Sequence, residues 1–542
     1  MSNTLRTFLA IASIVLISVF IFFTFFLEGI LKEQLSSRLK KTFDNYYSVD
    51  FESSESRISW FRLSITFNDV EFKTDTSRNE LVRQYPVIFF RAKAFEVTGV
   101  HMLDVLLQRD LHISEVKLQE PNLLSLIPDS RPVQKSSTEE LSGSKRITSL
   151  TFDQLLIEQG QAALVWLQHP EDTLYAGRNL SLETQSFELP LDNSSGQVLK
   201  NIHLKDMKMS LKDVIFIPRF SPYRFAIAES SLSLSDSLFT NAGIEALPKR
   251  NLYQASLKAD YRKTFFNITA DSLNINQADF NELIRGNTIQ AKRLDLVSPS
   301  ITLFQNMNLP RDEQVEKLLL GELVNQVPMH LDIDTLDIIN LELRYEVLAK
   351  GQTKTARVNF SQMDGHFANI RKNDTQKDTI KVELSGRFME AGDIYFTAQF
   401  PLNTPRNHTY SGHIASMPFA SFNPIFSNLG KVNISDGAIK HIYFTGTCDQ
   451  FNNRGQMIFD YEGLKLQFKT KRDRNAWLKT GLANLLVRNN SGTEASGQTE
   501  SVDYHYVRPP YIGELGFIVH GITDGVAQVV LPKPAYRLFR KK

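Results

Sequence analysis

The chain has 542 residues, a net charge of +1 and 42 % hydrophobic residues. Near-neutrality excludes the positive field on which sequence-independent nucleic-acid binding depends, and a single cysteine, Cys448, excludes an intramolecular disulfide framework. The 38 phenylalanines favour strands and buried apolar surface.

The first predicted element is Thr7–Leu27, a run without charge or proline. It exceeds the ~18 apolar residues that suggest a bilayer span, and Phe25-Phe26-Leu27-Glu28 offers no small-residue cleavage site. Residues 1–31 are therefore expected to form a retained transmembrane helix. Arg6 precedes the run and Lys32, Arg38, Lys40 and Lys41 follow it. That count alone would place the bulk of the chain in the cytoplasm, yet long domains translocate largely regardless of flanking charge, so the flanks leave orientation open. Leu27, Leu31, Leu35, Leu39 and Phe43 recur every four residues, one stripe of a helix that continues into a juxtamembrane connection over 32–56.

From there strand patterns dominate. Apolar and polar residues alternate over Ser64–Phe67 and Val70–Phe72, then Ile88–Val97, His112–Leu118, Thr264–Ile275, Leu331–Tyr345, Ile380–Phe388, Ile394–Phe400 and Leu464–Phe468, which predicts sheets with one apolar face. Helical patterns are few: Arg311–Val327 and Ala476–Val487. Pro128–Lys145 and Asn489–Glu500 read as loops.

The chain also repeats itself. Phe90–Leu126 lies over Ile268–Phe304 at a constant offset of 178. Met102, Val105 and Leu106 fall on Phe280, Leu283 and Ile284, one helical face, and Val116, Leu118 and Pro121 fall on Leu294, Leu296 and Pro299. The match resumes with Phe152-Asp153-Gln154-Leu155 over Ile333-Asp334-Thr335-Leu336, Asn179-Leu180-Ser181 over Asn359-Phe360-Ser361, and Phe187 over Phe367. A repeated unit that cannot close its own core implies a quasi-one-dimensional stack. The division expected is a first repeat at 57–200, a second at 201–400, a β segment at 401–475 and C-terminal amphipathic helices with a basic tail at 476–542.

These residues resemble the AsmA-like family (AsmA/TamB/YhdP-type Gram-negative envelope proteins). The likeness runs from the anchor Thr7–Leu27 through Ile58–Phe72, Met102–Leu107 and Ile113–Ile127 around Pro121. It continues with Gly412-His413-Ile414, Phe422-Asn423-Pro424-Ile425, Val432–Gly437 and Gly455–Lys469. The resemblance implies an elongated, twisted, taco-like β-groove with short helices and an apolar interior. It implies an inner-membrane protein with its bulk in the periplasm, a role in outer-membrane lipid homeostasis or assembly, and no catalysis. About 20–25 strands at ~4.8 Å each would reach on the order of 100–120 Å.

Reactive motifs are absent: no P-loop, GxGxxG, GxSxG, HExxH or CxxC occurs, and no cofactor is expected. His408 and His413 lack a third ligand and are expected to face solvent. Asp332, Asp334 and Asp337 sit among Leu331, Ile333 and Leu336, the pattern of a polar strand face rather than of a calcium loop. Cys448 has no activating neighbour in sequence and reads as a small structural residue.

Three functions compete. The apolar face binds or conducts phospholipid acyl chains; the chain is a structural or assembly factor for outer-membrane proteins acting through strand edges; or it is an envelope glycosidase, which the missing motifs disfavour. The groove candidates are Phe95, Val97, Val116 and Leu118 with their repeat partners Leu273, Ile275, Leu294 and Leu296. A sealed core is the alternative at all eight. Towards the C-terminus, Trp477, Leu482, Phe517, Arg537 and Arg540 are candidates for contact with a membrane or with an outer-membrane or periplasmic partner. Phe517–Val530 is too short and Gly-interrupted to span a bilayer; it either closes the end of the groove or makes that contact.

Overall fold

The computed structural model describes residues 47–50, 56–59, 64–77, 82, 86–100, 111–128, 149–190, 203–219, 221–280, 288–327, 330–372, 379–402, 407–429, 432–468, 487–492 and 499–540. The predicted anchor, the stripe from Leu27 to Phe43, the face at Met102–Leu106, and Trp477 and Leu482 lie outside these residues. Among the described residues no helix is long and apolar enough to cross a membrane.

At 66 % strand against 13 % helix the chain is mainly β, as the alternation predicts. The 23 strands described belong to one long sheet with a few short helices. Two compact units divide it. One comprises the described residues of 1–243 and 276–287, the other those of 244–275 and 288–542.

In the first unit, β1 (Tyr47–Asp50) and β2 (Ser56–Ser59) pair antiparallel with β3 (Ser64–Thr74), and β3 pairs with β4 (Val87–Val100). Next come β5 (Leu111–Gln119) and β6 (Asn122–Ile127). Both are antiparallel to β4 and parallel to β7 (Ser149–Trp166). They are one strand broken in the middle. Glu120 adopts φ +49 and donates its N–H to Glu158 O at 2.8 Å, while the Pro121 carbonyl accepts from Gln161 at 2.7 Å. Proline has no N–H for the other neighbour, so a break is tolerated there. β8 (His169–Pro190), β9 (His203–Phe216) and β10 (Tyr223–Ser233) continue antiparallel.

β11 (Leu238–Pro248) leads through the short helix α1 (Leu252–Ser256) to β12 (Thr264–Ala278). The second unit then repeats the first. β12 pairs antiparallel with β14 (Ser300–Asn306), and β13 (Thr288–Val297) and β14 both run parallel to β15 (His330–Leu348). The break recurs at Ser298-Pro299. Ser298 has φ +47, its N–H reaches Ile339 O at 2.8 Å, and the Pro299 carbonyl accepts from Glu342 at 2.8 Å.

Left-handed residues coincide throughout. Gly99 and Gln277, Glu120 and Ser298, Gln159 and Asn340, Asn179 and Gln362, and Ser186 and Asn369 all have positive φ. Positive φ outside glycine is uncommon, so matched positions in matched strands show the same backbone built twice. Two details of the sequence alignment are corrected. Asn179 coincides with Gln362, not with Asn359. Phe187 opposes Phe152, but the residue opposing Ile333 is Ile370, not Phe367. The reason is a longer connection. β7 turns into β8 across Leu167-Gln168, whereas β15 and β16 (Ala356–Lys372) are separated by residues 349–355.

Beyond β16 the sheet is an antiparallel meander through β17 (Thr379–Phe388), β18 (Gly392–Pro401), β19 (His408–Ile414), β21 (Val432–Cys448), β22 (Asn452–Phe468) and β23 (Ser501–Val507). The two-residue β20 (Met417–Pro418) also pairs with β21.

The helix predicted over Arg311–Val327 is corrected to α2 (Leu320–Asn325). The chain before it is held by tertiary partners instead. Lys317 N–H bonds Pro510 O at 2.9 Å, the Arg508 guanidinium takes the Lys317 carbonyl, and Arg311 lies 4.6 Å over the Tyr511 ring. Three further α-helices follow among the described residues: α3 (Asn423–Leu429) packs on β16 and β21, and α4 (Glu514–Val530) packs across β22 and β23 before α5 (Lys533–Arg540).

α4 also closes a sheet edge. β23 pairs only with β22 among the described residues, which leaves outward-pointing backbone groups. Gln528 Nε2 donates to Asp503 O at 2.7 Å and Asp524 accepts from His505 N–H at 3.4 Å. Replacing both residues by alanine is expected to cost about 1–3 kcal/mol per group left unpaired and to make the protein associate with rising concentration. Light scattering checks this; a variant that stays monomeric at every concentration contradicts it.

Candidate functional site

Strand pairing turns the alternation into rows of side chains that run across strands. In the first unit one row is Phe67, Phe95, Leu118, Ile157, Leu182, Met209 and Leu232, each opposite the next. A second is Val97, Val116, Leu155, Thr184 and Met207. The first-repeat candidates Phe95, Val97, Val116 and Leu118 thus meet as one patch, and all four have 0 % exposure.

The second unit carries two longer rows. One runs Leu294, Leu336, Phe367, Val382, Ala398, Tyr410, Gly446, Gly455 and Tyr504. The other runs Leu296, Ile338, Gly365, Leu384, Phe396, Gly412, Phe444, Met457 and Val502. Nine strands at ~4.8 Å make each row roughly 38 Å across. The start of these rows is half-buried at Leu294, Leu296, Leu336, Ile338 and Phe367, as are Leu273 and Ile275 on β12. The far end is enclosed: Val382, Ala398, Tyr410 and Tyr504 are all buried. Glycines make this end fit. A Cβ on Gly446 or Gly455 would lie 2.3 Å from the Tyr410 or Tyr504 ring respectively.

α4 seals that end. Phe517 is wholly buried, its ring 6.3 Å from that of Tyr506, so this candidate packs inward instead of being presented at the surface. Asn453 donates to Phe517 O at 2.9 Å. Beneath lies a polar cluster: Tyr504 donates to Thr445 O at 2.8 Å, and Tyr410 Oη sits 2.9 Å from Tyr504 Oη and 2.8 Å from Asn453 Oδ1. Burial, the largest cause, pushes the Tyr504 hydroxyl up to about 12 and the Tyr410 hydroxyl higher still. His408 is not solvent-facing as expected. It is buried, with Nδ1 3.1 Å from Glu514 Oε1 of α4. Glu514 also accepts the Leu320 N–H at 3.3 Å, so one carboxylate latches α4 to β19 and to the start of α2. Cys448 is buried beside it. Burial and then the Glu514 charge push its thiol well above the usual range, the environment of an inert cysteine.

The opposite face is charged and solvated. Arg91 pairs with Asp69 at 3.1 Å, Lys117 with Glu158 at 2.7 Å, and Arg293 with Asp295 at 2.7 Å and Asp337 at 3.1 Å. Arg371 engages Asp332 at 3.0 Å and also Asp334. The three aspartates are therefore occupied by arginines along a polar strand face. Exposed pairs of this kind contribute little stability; their effect is to keep this face wet and the other apolar.

Sequence reading found the β12 and β13 members of the half-open patch but not Leu336, Ile338 and Phe367 as their neighbours. The parallel pairing of β13 with β15 brings them together across residues 298–329, and no local pattern encodes that register. The Glu514 latch likewise had no sequence signal. Arg537 is exposed on α5, and Arg540 lies on the same helix. No protein-family model matches this chain, and no curated relative is similar to it in sequence.

Proposed function

We propose that this chain is a membrane-anchored AsmA-like envelope protein of the inner membrane, its bulk in the periplasm, whose apolar sheet face binds phospholipid acyl chains in support of outer-membrane lipid homeostasis or assembly. The observation that carries the reading is the contrast within the second unit. The rows begin half-open at Leu294 and Leu296, with Leu273 and Ile275 of β12 also half-buried, and end enclosed beneath α4. Apolar surface left open to water costs about 25 cal/mol per Å², and a contiguous open patch normally marks an interaction site. An acyl chain, which fills half of the ~30 Å hydrocarbon core of a bilayer, matches the length of a few adjacent strands. The site needs no cofactor and no catalytic step.

The test is to purify the full chain and identify extracted lipid by mass spectrometry. Phospholipid at near-stoichiometric occupancy is expected. A protein free of lipid that also fails to take up added phospholipid overturns the reading.

A second reading, an assembly factor working through protein contacts, draws on the charged face. There Tyr395 (46 % exposed) and Tyr443 (47 % exposed) flank His413, whose ring stacks on Tyr443 at 4.4 Å. Loss of assembly on Tyr395→Ser with Tyr443→Ser, with lipid occupancy unchanged, would favour it.

A further inference from the structure

We propose that α5 docks on a membrane surface of anionic lipid, independently of whether the sheet binds acyl chains. The last acidic residue of the sequence is Asp524; from Gly525 onward come Lys533, Arg537, Arg540, Lys541 and Lys542 and no Asp or Glu. In a chain of net charge +1 this is a marked local asymmetry. Nor is Asp524 free to neutralise it. Its carboxylate is buried and already accepts from the Tyr536 hydroxyl at 2.9 Å, from Gln528 at 3.2 Å and from His505 N–H.

The Tyr536 bond does a second thing: it ties α5 to α4, and so to the sheet, at a defined place. Lys533 and Arg537, one turn apart, stay exposed, and neither has an ion-pair partner among the described residues. Arg540 ends the same helix. Where α4 ends, Arg488 adds a further cation: its N–H donates to Val530 O at 2.8 Å, and its side chain lies 3.8 Å from Glu500.

The chemistry selects the partner. The exposed cations Lys533 and Arg537, followed in sequence by Arg540, Lys541 and Lys542, suit a fluid plane of anionic headgroups, where position along the surface does not matter.

The test uses the full chain reconstituted in phosphatidylcholine vesicles and asks whether it captures fluorescent acceptor vesicles. Acceptors of equal parts phosphatidylglycerol and phosphatidylcholine are expected to be captured, and pure phosphatidylcholine acceptors are not. Capture falls as salt shortens the Debye length to ~8 Å. The triple variant Lys533→Gln, Arg537→Gln, Arg540→Gln should weaken capture about fivefold per charge, on the order of a hundredfold in all. An unchanged circular dichroism spectrum confirms that the variant is folded. Capture that is equal for neutral acceptors, or undiminished in the folded triple variant, overturns the proposal. Ile275→Asp is expected to leave capture intact, so failure here and failure of acyl-chain binding are separate results.

Discussion

Val97→Asp is expected to unfold the first unit, whereas Ile275→Asp is expected to leave the protein folded and to remove the lipid binding proposed for its apolar face. The two positions are repeat equivalents at the offset of 178, so sequence alone assigns them one role. Their surroundings differ. Val97 has 0 % exposure, opposite Val116, which also has 0 %. A carboxylate there has no partner and no water, and the cost is expected to exceed about 4 kcal/mol. Ile275 is only half-buried, so its aspartate keeps water and costs little in folding. It places charge where an acyl chain would lie, and bound phospholipid is expected to fall at least about tenfold, the equivalent of roughly 1.4 kcal/mol. Thermal unfolding and mass spectrometry of extracted lipid give the two readouts. Unfolding by both substitutions would identify the second face as a sealed core and remove the basis for acyl-chain binding.

Phe517→Ala costs about 3–5 kcal/mol, the range for truncating a buried aromatic residue, while Leu515→Ser changes stability by less than about 0.5 kcal/mol. Both lie on α4, two residues apart. Phe517 is enclosed at 0 % exposure and Leu515 is 72 % exposed. The loss at Phe517 also weakens the seal over Tyr410 and Tyr504, because Asn453 bonds both the Phe517 carbonyl and the Tyr410 hydroxyl. Denaturant unfolding of the two variants measures the difference. Equal effects would show that α4 is not what closes this end of the sheet.

Particular elements show where sequence reading succeeds. Leu331–Tyr345 falls within β15 and Ile394–Phe400 within β18, since alternation of side chains on a pleated strand is a local property that burial of one face imposes. Pro121 and Pro299 marked the repeat for a physical reason that reappears in the backbone: each follows a left-handed residue at a strand break. Arg311–Val327 shows the converse. Its spacing is helical, but the Pro510 carbonyl accepts the Lys317 N–H and the Arg508 guanidinium takes the Lys317 carbonyl, and tertiary bonds of this kind override a weak local preference.

What the sequence determined by itself is therefore the local and the repeated: the β class, the duplicated unit and its prolines, the apolar identity of eight matched positions, and the basic stretch after Asp524. Each follows from spacing between near neighbours. Only the tertiary structure decided which of those apolar positions are enclosed and which stay half-open, and that His408 meets Glu514 across 106 residues. Burial and long-range pairing depend on which distant strands and helices arrive on a face, and that arrival is a property of strand register and of the packing of α4, not of any residue's immediate neighbours.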